Sequence, residues 1–335
     1  MNITQVSAIT ALLSAGEGLE DLPNRLVDME ARLHAAVQHS DALANATSRH
    51  LVQAGGKRVR PLLTLLSSYL GDPDRDEVVQ AAVAVELTHL ATLYHDDVMD
   101  SADTRRGAPT AQTLWGNSVA IITGDLLFAR ASRLISELGP DAVLIQSLTF
   151  ERLCLGQLHE TVGPRPDEDP IAHYLSVLAD KTGSLIATSG VYGALFSGCD
   201  QEVVDTLANY GEKIGIAFQL ADDVIDIMGA DSGKSAGTDL REGVPTMPAL
   251  LARQAASQGD TEAADLVRLI DADLTDEARL AEAVAALREH EVTARTRELA
   301  VQWSRDAVDD LRVLPVGPVR SALEAFAIQV ADRNA

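Results

Sequence analysis

Cysteine, aromatic residues and long apolar runs are all scarce in this sequence. Its cysteines are Cys154 and Cys199, and two isolated thiols give neither a disulfide framework nor the spacing of a metal site. We expect both to act as small core residues. Aromatic residues make up 4% of the 335 positions. No uninterrupted run of about 18 apolar residues is present, so no transmembrane helix is expected.

Basic residues are also few. Lys and Arg number 27 against 50 Asp and Glu, which gives a formal net charge of -23. A duplex-binding protein needs a basic surface, so no nucleic-acid partner is expected. The net charge does not exclude a small anionic ligand, provided that metal ions and a few cations surround that ligand. Residues 1–25 lack the basic region of a secretory signal, and the sequence predicts a soluble cytoplasmic protein.

Apolar residues make up 46% of the chain and recur at helical spacing along most of it. No alternating strand pattern and no linker is present. The sequence therefore predicts an all-α fold, a single domain over residues 1–335 with ten or more helices and a loosely ordered segment at 1–20. The predicted helices span about 21–54, 61–71, 76–100, 117–138, 141–162, 171–198 with a break near Gly183, Gly190 and Gly193, 201–228, and four more within 246–333.

Two aspartate clusters have the same spacing, with carboxylates at i, i+1 and i+4 in an apolar segment. They are Asp96, Asp97 and Asp100 in the first and Asp222, Asp223 and Asp226 in the second. On a helix, the first and last carboxylate of each lie one turn apart on one face and repel each other. Mg²⁺ prefers oxygen ligands and commonly joins one or two carboxylates to substrate phosphates. Two matching clusters predict a site for divalent cations and a diphosphate, whereas neither has the Gly and Glu of an EF-hand loop.

Cations lie near these clusters in the sequence. They are Lys57, Arg58 and Arg60 after Gly55-Gly56, Arg105 and Arg106 beyond Asp100, Lys181, and Lys234 in the glycine-rich loop at 229–245. Arginine pairs suit bidentate contacts with phosphate oxygens, and lysine supplies a point charge. His89 lies two turns before Asp96 on the same face. Together these residues predict two anion sites beside a metal cluster.

The chain resembles the trans-polyprenyl diphosphate synthases. The motifs that carry the resemblance follow the family order over nearly the whole chain. They are GGKRVRP at 55–61, ELTHLATLYHDDVMDSADTRRGAPT at 86–110, GD at 124–125, KTGSL at 181–185, and FQLADDVID with GKSAGTDLREG at 218–243. The resemblance implies an isoprenoid-synthase helical bundle around a deep central cavity, with the two aspartate clusters facing each other across its mouth. It also implies a homodimer.

The same resemblance assigns roles to residues. Asp96, Asp100 and Asp222 would coordinate Mg²⁺, three ions per active site, with Asp97, Asp223 and Asp226 supporting them directly or through water. The allylic diphosphate (dimethylallyl, geranyl, farnesyl or geranylgeranyl) would bind these ions with Arg105, Lys181 and Lys234. Isopentenyl diphosphate would bind Gly56, Lys57, Arg60, His89 and Arg106. The oxygens of Thr182 and Gln219 would face the developing carbocation.

The implied reaction begins with departure of the allylic diphosphate, helped by the metal ions and cations. The isopentenyl double bond then attacks the allylic cation, and a proton is lost to the released diphosphate. Because water would quench the cation, closure of the 229–245 loop is expected to exclude solvent. One position departs from the family pattern: many members have lysine where this chain has Val244. An auxiliary phosphate contact would then be missing.

Product length is expected to depend on the helix before the first cluster. Its residues Thr92, Ala91, Thr88 and Ala84 are all small. At ~1.5 Å per residue, Ala91 lies about 7.5 Å and Ala84 about 18 Å below the metal. No Phe or Tyr blocks that face, so the resemblance predicts a geranylgeranyl or longer product. Leu127, Phe128, Leu134 or a partner subunit could still close the bottom of the cavity and limit the length of the product.

Three other interpretations stay open at this point. A class I terpene cyclase shares the fold and the ionisation chemistry but usually lacks the GGKR motif, His89 and the second aspartate cluster. A non-catalytic or partner-dependent subunit of a hetero-oligomeric synthase typically has eroded clusters, and both are intact here. A helical scaffold with surface acid clusters predicts that removing Asp96 and Asp222 leaves diphosphate binding unchanged.

Overall fold

The computed structural model describes residues 18–229 and 236–331, and α-helices make up most of this part of the chain. The prediction of an all-α fold with ten or more helices is confirmed. The α-helices are α1 (Leu22–Ala36), α2 (Ala42–Gln53), α3 (Val59–Ser68), α4 (Asp76–Met99), α5 (Ala111–Trp115), α6 (Asn117–Glu137), α7 (Pro140–Val162), α8 (Pro170–Leu178), α9 (Ser184–Ser197), α10 (Gln201–Met228), α11 (Thr238–Glu242), α12 (Met247–Ser257), α13 (Thr261–Ile270), α14 (Glu277–Glu289), α15 (Glu291–Asp310) and α16 (Pro318–Ala331).

Three shorter elements complete the description. A π-helix (Ala179–Gly183) joins α8 to α9, and a 3₁₀-helix (Leu311–Val313) follows α15. Strands β1 (Thr104–Arg105) and β2 (Ala108–Pro109) pair antiparallel as a small hairpin. None of the described helices is long and apolar enough to cross a membrane.

The chain folds into two compact units. Among the described residues, the first contains 18–151, 185–211 and 311–323, and the second contains 152–184, 212–229, 236–310 and 324–331. The expectation of a single domain over 1–335 stays a prediction.

Helix α4 is the centre of the first unit. It packs against α1, α3 and α6, and most of its residues between Val78 and Tyr94 are buried. A helix that is apolar on all sides is expected to lie inside a protein. The Tyr94 hydroxyl donates to the Thr47 carbonyl at 2.5 Å, which ties α4 to α2. The end of α4 that carries Asp96, Asp97 and Asp100 is thus joined to the buried core of the first unit.

In the second unit, α12 packs against α8, α13 and α15, and α14 packs against α13 and α15. Close approach of α10 and the π-helix depends on glycine. A Cβ on Gly215 would lie 2.4 Å from the Gly183 Cα, a distance that only a shift of backbone would relieve. The glycines therefore position the Lys181–Thr182 segment against α10.

Several predicted boundaries were wrong. The predicted helix at 21–54 is two helices, because the chain turns at 37–41 and the Asp41 side chain caps α2 by accepting from Ala44 N at 2.8 Å. Helix α3 begins at Val59 rather than Pro61. The region 246–331 contains five α-helices rather than four, because the backbone is extended at His290. The hairpin at 104–109 was not predicted.

Candidate active site

The first aspartate cluster lies at the C-terminal end of α4. Asp96 is half-buried and Asp100 is exposed, and the Asp100 N–H donates to the Asp96 carbonyl at 2.8 Å in the last turn. The two carboxylates occupy one face of the helix, as the i, i+4 spacing predicts. Both are at positions where solvent or a ligand has access.

Asp97 is placed differently, since its side chain is only 1% exposed. It forms an ion pair with Arg105, and its backbone carbonyl accepts from Ala102 N at 3.0 Å. Burial raises the pKa of Asp97, and the Arg105 guanidinium opposes that shift. The structure therefore joins Asp97 to the loop after α4.

The β1–β2 hairpin presents the two arginines that follow the cluster. The Thr110 hydroxyl and the Gln112 amide both donate to the Ala102 carbonyl, at 2.7 and 2.8 Å, and so fix its base. Arg106 donates to the carbonyls of Gly55 and Leu51. A Cβ on Gly56 would lie 2.9 Å from the Arg106 guanidinium. Glycine at this position lets Arg106 lie against the Gly55–Gly56 backbone.

Arg60 and His89 lie in an electropositive part of the first unit. Burial lowers the pKa of His89 well below 6.5, and the nearby guanidinium groups of Arg60, Arg106, Arg105 and Arg58 lower it further. Burial also lowers the pKa of Arg60 to about 10, with Glu86 opposing and Arg106 adding to the shift. Arg60 Nε is buried and has no hydrogen-bond partner within the described residues. Neutral His89 and a buried guanidinium donor suit a small multivalent anion.

The role of Arg58 differs from that of its neighbours in the GGKRVRP segment. It is 7% exposed, and its guanidinium donates to Glu30 at 2.8 and 2.9 Å and to Glu86 at 2.8 Å. Burial opposes its charge, but the two carboxylates outweigh that effect and raise the pKa of Arg58. Lys57, in contrast, is exposed. Arg58 therefore anchors the segment that carries Lys57 and Arg60.

The residues expected to set product length divide into two groups. Thr92 is half-buried, whereas Ala91 and Ala84 are 0% exposed and Thr88 is 3% exposed. Gln146 of α7 donates to the Thr88 hydroxyl at 3.4 Å. Ala91 and Ala84 lie in packed interior, so a tail reaches them only if that packing opens. Their role in chain length stays a prediction.

The second cluster lies near the end of α10, in the second unit. Asp222 and Asp226 are half-buried. Asp226 accepts from Thr238 N at 3.1 Å through its side chain and from Gly237 N at 2.9 Å through its carbonyl. Lys234 lies outside the described residues. The two contacts of Asp226 hold the start of α11 beside the cluster.

Asp223 is enclosed by protein groups. It is 5% exposed, and it accepts from the Tyr174 hydroxyl and from Met247 N. Burial raises the pKa of Asp223 to about 8, although the N–H of Met247 and the hydroxyl of Tyr174 favour its charged form. Tyr174 was missed in the sequence, where its only signal is a polar hydroxyl within an apolar helix.

Lys181 and Thr182 belong to the π-helix, a rare element that often marks functional sites. Lys181 forms an ion pair with Glu160 of α7. Thr182 is 9% exposed. Gln219 is half-buried on α10, three residues before Asp222. The predicted kink or break near Gly183, Gly190 and Gly193 is instead a continuous helical segment, in which the π-helix ends at Gly183 and an α-helix runs from Ser184 to Ser197. The sequence carried no signal for a π-helix or for Glu160 as the partner of Lys181.

The aspartate carboxylates of the two clusters are suited to a hard divalent cation whose remaining ligands come from a substrate. Within residues 18–229 and 236–331, no group of three or more His, Cys, Asp or Glu side chains is arranged to hold a metal ion by itself. Asp96 and Asp100, and Asp222 and Asp226, offer carboxylate oxygens in pairs. Mg²⁺ accepts one or two carboxylates when phosphate oxygens and water complete its shell. Each pair by itself therefore suits Mg²⁺ together with a diphosphate.

Comparison with known proteins agrees with these features. The model of the polyprenyl synthetase family matches residues 41–287. Nonaprenyl diphosphate synthase of Mycobacterium tuberculosis is 43% identical over 309 residues, 91% of each chain. Heptaprenyl diphosphate synthase component 2 of Geobacillus stearothermophilus is 34% identical over 316 residues, 93% of this chain and 97% of the relative.

A solved structure is similar over almost the whole length. Geranylgeranyl pyrophosphate synthase from Corynebacterium glutamicum, complexed with calcium and isoprenyl diphosphate, superposes with a TM-score of 0.83 and 40% identity, covering 94% of this chain and 96% of that one. Fold and site thus define an all-helical prenyltransferase. The chain belongs to the polyprenyl synthetase family.

Proposed function

We propose that this prenyltransferase condenses isopentenyl diphosphate with an allylic diphosphate and makes an all-trans polyprenyl diphosphate of geranylgeranyl length or longer. The observation that carries the proposal is the electropositive group of Arg60, His89 and Arg106 in the same unit as the carboxylates of Asp96 and Asp100. The relatives named for nonaprenyl and heptaprenyl products support the upper part of this length range.

The residues around His89 suit isopentenyl diphosphate. Arg60 and Arg106 donate from guanidinium groups, Lys57 adds an exposed point charge, and the neutral imidazole of His89 can donate one N–H to a phosphate oxygen. Gly56 leaves room for close approach beside the Arg106 guanidinium. The diphosphate is thereby held without metal ions.

The allylic diphosphate is assigned to the aspartates and the remaining cations. Asp96, Asp100, Asp222 and Asp226 would hold up to three Mg²⁺ ions, which when bound neutralise negative charge on the departing diphosphate. Arg105, Lys181 and Lys234 add positive charge to the same oxygens. Asp97 supports the site through Arg105. Three ions, one shared site and an Mg²⁺ requirement stay proposals.

The oxygens of Thr182 and Gln219 are assigned to the developing allylic cation. Thr182 is buried on the π-helix, and Gln219 lies one turn before Asp223 on α10. An uncharged oxygen can stabilise a cation without attacking it irreversibly as a carboxylate would. The isopentenyl double bond then attacks, and the proton leaves to the released diphosphate.

The test is Mg²⁺-dependent diphosphate binding by calorimetry, with Asp96→Ala and Asp222→Ala compared with wild type. The proposal expects each substitution to weaken binding of inorganic diphosphate in MgCl₂ at least about tenfold and to reduce turnover at least about 100-fold. Unchanged binding would instead support a helical scaffold with surface acid clusters. Asp28→Ala, on the exposed Arg32 pair of α1, is the matched control.

A partner-dependent subunit is the second candidate, because one relative is named as component 2 of a heptaprenyl diphosphate synthase. Both aspartate clusters are intact here, which favours a chain that works alone. Turnover by the purified chain separates the two: activity without any added protein supports the first candidate, and activity only after a partner is added supports the second.

A homodimer is proposed on the resemblance and on apolar surface in the first unit. Helices α6 and α7 expose large side chains, among them Ile122 at 65%, Leu144 at 58% and Leu148 at 53%. Leu144 and Leu148 lie one turn apart on the same face of α7, and exposed apolar side chains that lie together commonly mark an interface. Sedimentation velocity is expected to show a dimer that Leu144→Glu with Leu148→Glu converts to monomer. The cytoplasmic location stays a prediction.

A further inference from the structure

Asp223 occupies a position where the aspartate motif predicts a metal ligand, but protein donors already surround it. The Tyr174 hydroxyl lies 3.0 and 2.8 Å from its two carboxylate oxygens. Met247 N donates to Oδ2 at 2.9 Å. The residue is 5% exposed. A metal ion would have to displace these buried hydrogen bonds in order to bind the Asp223 carboxyl group, and buried donors left without an acceptor are costly.

The contacts of Asp223 join three helices of the second unit. Tyr174 belongs to α8, Asp223 to α10 and Met247 is the first residue of α12. The N-cap residue Thr246 makes no side-chain cap, and Pro248 has no N–H to satisfy. An oxygen of the Asp223 carboxyl group therefore takes the place of a cap at the start of α12.

Tyr174 connects this carboxylate to the segment that carries Lys181. Its ring packs on the apolar cluster that contains Leu178, Leu220 and Met247. Helix α8 continues directly into the π-helix, so Tyr174 lies seven residues before Lys181 on one continuous helical segment. Because Tyr174 is held against α10, the positions of Lys181 and Thr182 along the axis of α10 are held as well.

The other two carboxylates of the cluster lie on a different face. Asp222 and Asp226 are one turn apart and half-buried, whereas Asp223 is rotated by about 100° from Asp222 around the helix. The motif therefore combines two functions: an accessible pair for a ligand and one buried residue for packing.

We propose that Asp223 is not a metal ligand, and that Tyr174 and Asp223 act as a pair of positioning residues. The pair holds α10, with Asp222 and Asp226, in register with the π-helix that bears Lys181 and Thr182. This inference rests on the proposed function for its consequence in catalysis, but the pairing itself is a property of the ligand-free protein.

The test is a double-mutant cycle with Tyr174→Phe, Asp223→Asn and the two combined. Tyr192→Phe is the matched control, since its hydroxyl is also buried and donates to one carbonyl, that of Ala142, at 2.9 Å. Asp222→Asn serves as the metal-ligand reference. All are measured in the full-length protein.

The first measurement is urea unfolding without Mg²⁺ or substrate, which does not depend on the proposed function. We expect the two single substitutions to lower the folded-to-unfolded ratio by similar factors, about tenfold, and the combined variant to lower it by no more than about twofold beyond the worse single. Full additivity of the two effects would overturn the pairing.

The second measurement is binding of MgCl₂ with inorganic diphosphate by calorimetry. Asp223→Asn and Tyr174→Phe are expected to stay within about threefold of wild type, whereas Asp222→Asn loses at least about tenfold. If Asp223→Asn loses binding as Asp222→Asn does while Tyr174→Phe does not, Asp223 is a metal ligand and the proposal is wrong.

The third measurement separates positioning from stability. Tyr174→Phe is expected to raise KM for the allylic diphosphate about two- to threefold, because Lys181 and Thr182 are displaced from α10. Tyr192→Phe loses stability but keeps the wild-type KM. An unchanged KM in Tyr174→Phe would show that Tyr174 and Asp223 only stabilise the fold, and the positioning role would be wrong. Absence of turnover in wild type would contradict the proposed function and leave the first two measurements to decide the inference.

Discussion

Arg58 sets the shape of the segment that presents Lys57 and Arg60. It is the N-cap residue of α3 and has a positive φ of 50°, which is unusual for a residue other than glycine. Its pairs with Glu30 and Glu86 hold it there. Lys57 and Arg60, the residues of this segment proposed to bind phosphate, are thus supported by a neighbour that faces the core.

Arg58→Met is expected to lower the free energy of unfolding by about 3 kcal/mol, because it leaves the buried carboxylate of Glu86 without its partner. Urea denaturation measures the change. Arg32→Met is the control, since Arg32 is 41% exposed in its pairs with Asp28 and Asp76, and its loss is expected to cost less than about 1 kcal/mol. Equal effects of both substitutions would contradict the buried role of Arg58.

His89 predicts a pH dependence of stability. Its pKa in the folded protein lies well below 6.5, so the unfolded chain takes up a proton that the folded protein refuses. Stability from this residue is therefore fully present above pH 6.5 and is lost as the pH falls below that value. Between pH 7 and pH 5, the urea midpoint is expected to fall more in wild type than in His89→Gln. Parallel curves would show that His89 is free to protonate in the folded protein.

The contact between α10 and the π-helix is an element-scale feature that depends on two glycines. Gly215→Ala places a Cβ 2.4 Å from the Gly183 backbone. Helix propensity alone would favour alanine by about 1 kcal/mol, but overpacking is expected to outweigh it and destabilise the fold by about 1–3 kcal/mol. Turnover is expected to fall as well, since Thr182 adjoins the contact.

Gly317→Ala is the matched substitution for this prediction, because nothing lies within 4 Å of a Cβ at Gly317. Thermal unfolding and kcat of the two variants are compared under the same conditions. Loss in Gly215→Ala and wild-type behaviour in Gly317→Ala support the contact. A gain of stability in Gly215→Ala would mean that the two helices separate without cost.

Helix α4 carries the prediction on product length. Ala91→Phe is expected to shorten the product, as the small residues before Asp96 imply. Because Ala91 is 0% exposed, the same substitution is also expected to lower the thermal midpoint. Thr92→Phe, at a half-buried position, is the comparison that changes the accessible face with less overpacking. Chromatography of the dephosphorylated products measures both, and unchanged lengths in both variants would remove α4 from length control.

The elements that sequence predicts well here are those with strong apolar periodicity. Helices α4, α6, α7 and α10 match their predicted ranges within a few residues, because their apolar faces extend over many turns. The turn at 37–41 and the extended residue His290 were missed, since neither position carries glycine or proline. Short breaks of that kind depend on tertiary packing.

The sequence was enough to identify the residues of the candidate site, but not the burial or the partners of each side chain. The resemblance gives Asp97 and Asp223 a supporting role at the metal ions, directly or through water, yet the structure buries both and pairs them with Arg105 and Tyr174. Which carboxylate faces the core depends on helices that are distant in sequence. A spacing rule describes one helix and contains no information about its neighbours.

At the scale of the whole molecule, net charge is a poor guide to the ligand. The chain carries a formal charge of -23, yet four arginines lie close enough to His89 to lower its pKa. Local placement of a few cations decides which anion binds, whereas net charge governs solubility and long-range attraction. An anionic substrate is therefore compatible with an acidic protein.

Incubation of the purified chain with farnesyl diphosphate, isopentenyl diphosphate and MgCl₂ tests the central claim most directly. Chromatography of the dephosphorylated product is expected to show geranylgeraniol or longer all-trans alcohols, which disappear in Asp96→Ala. Farnesol alone, with no elongated product at any substrate concentration, would contradict the account.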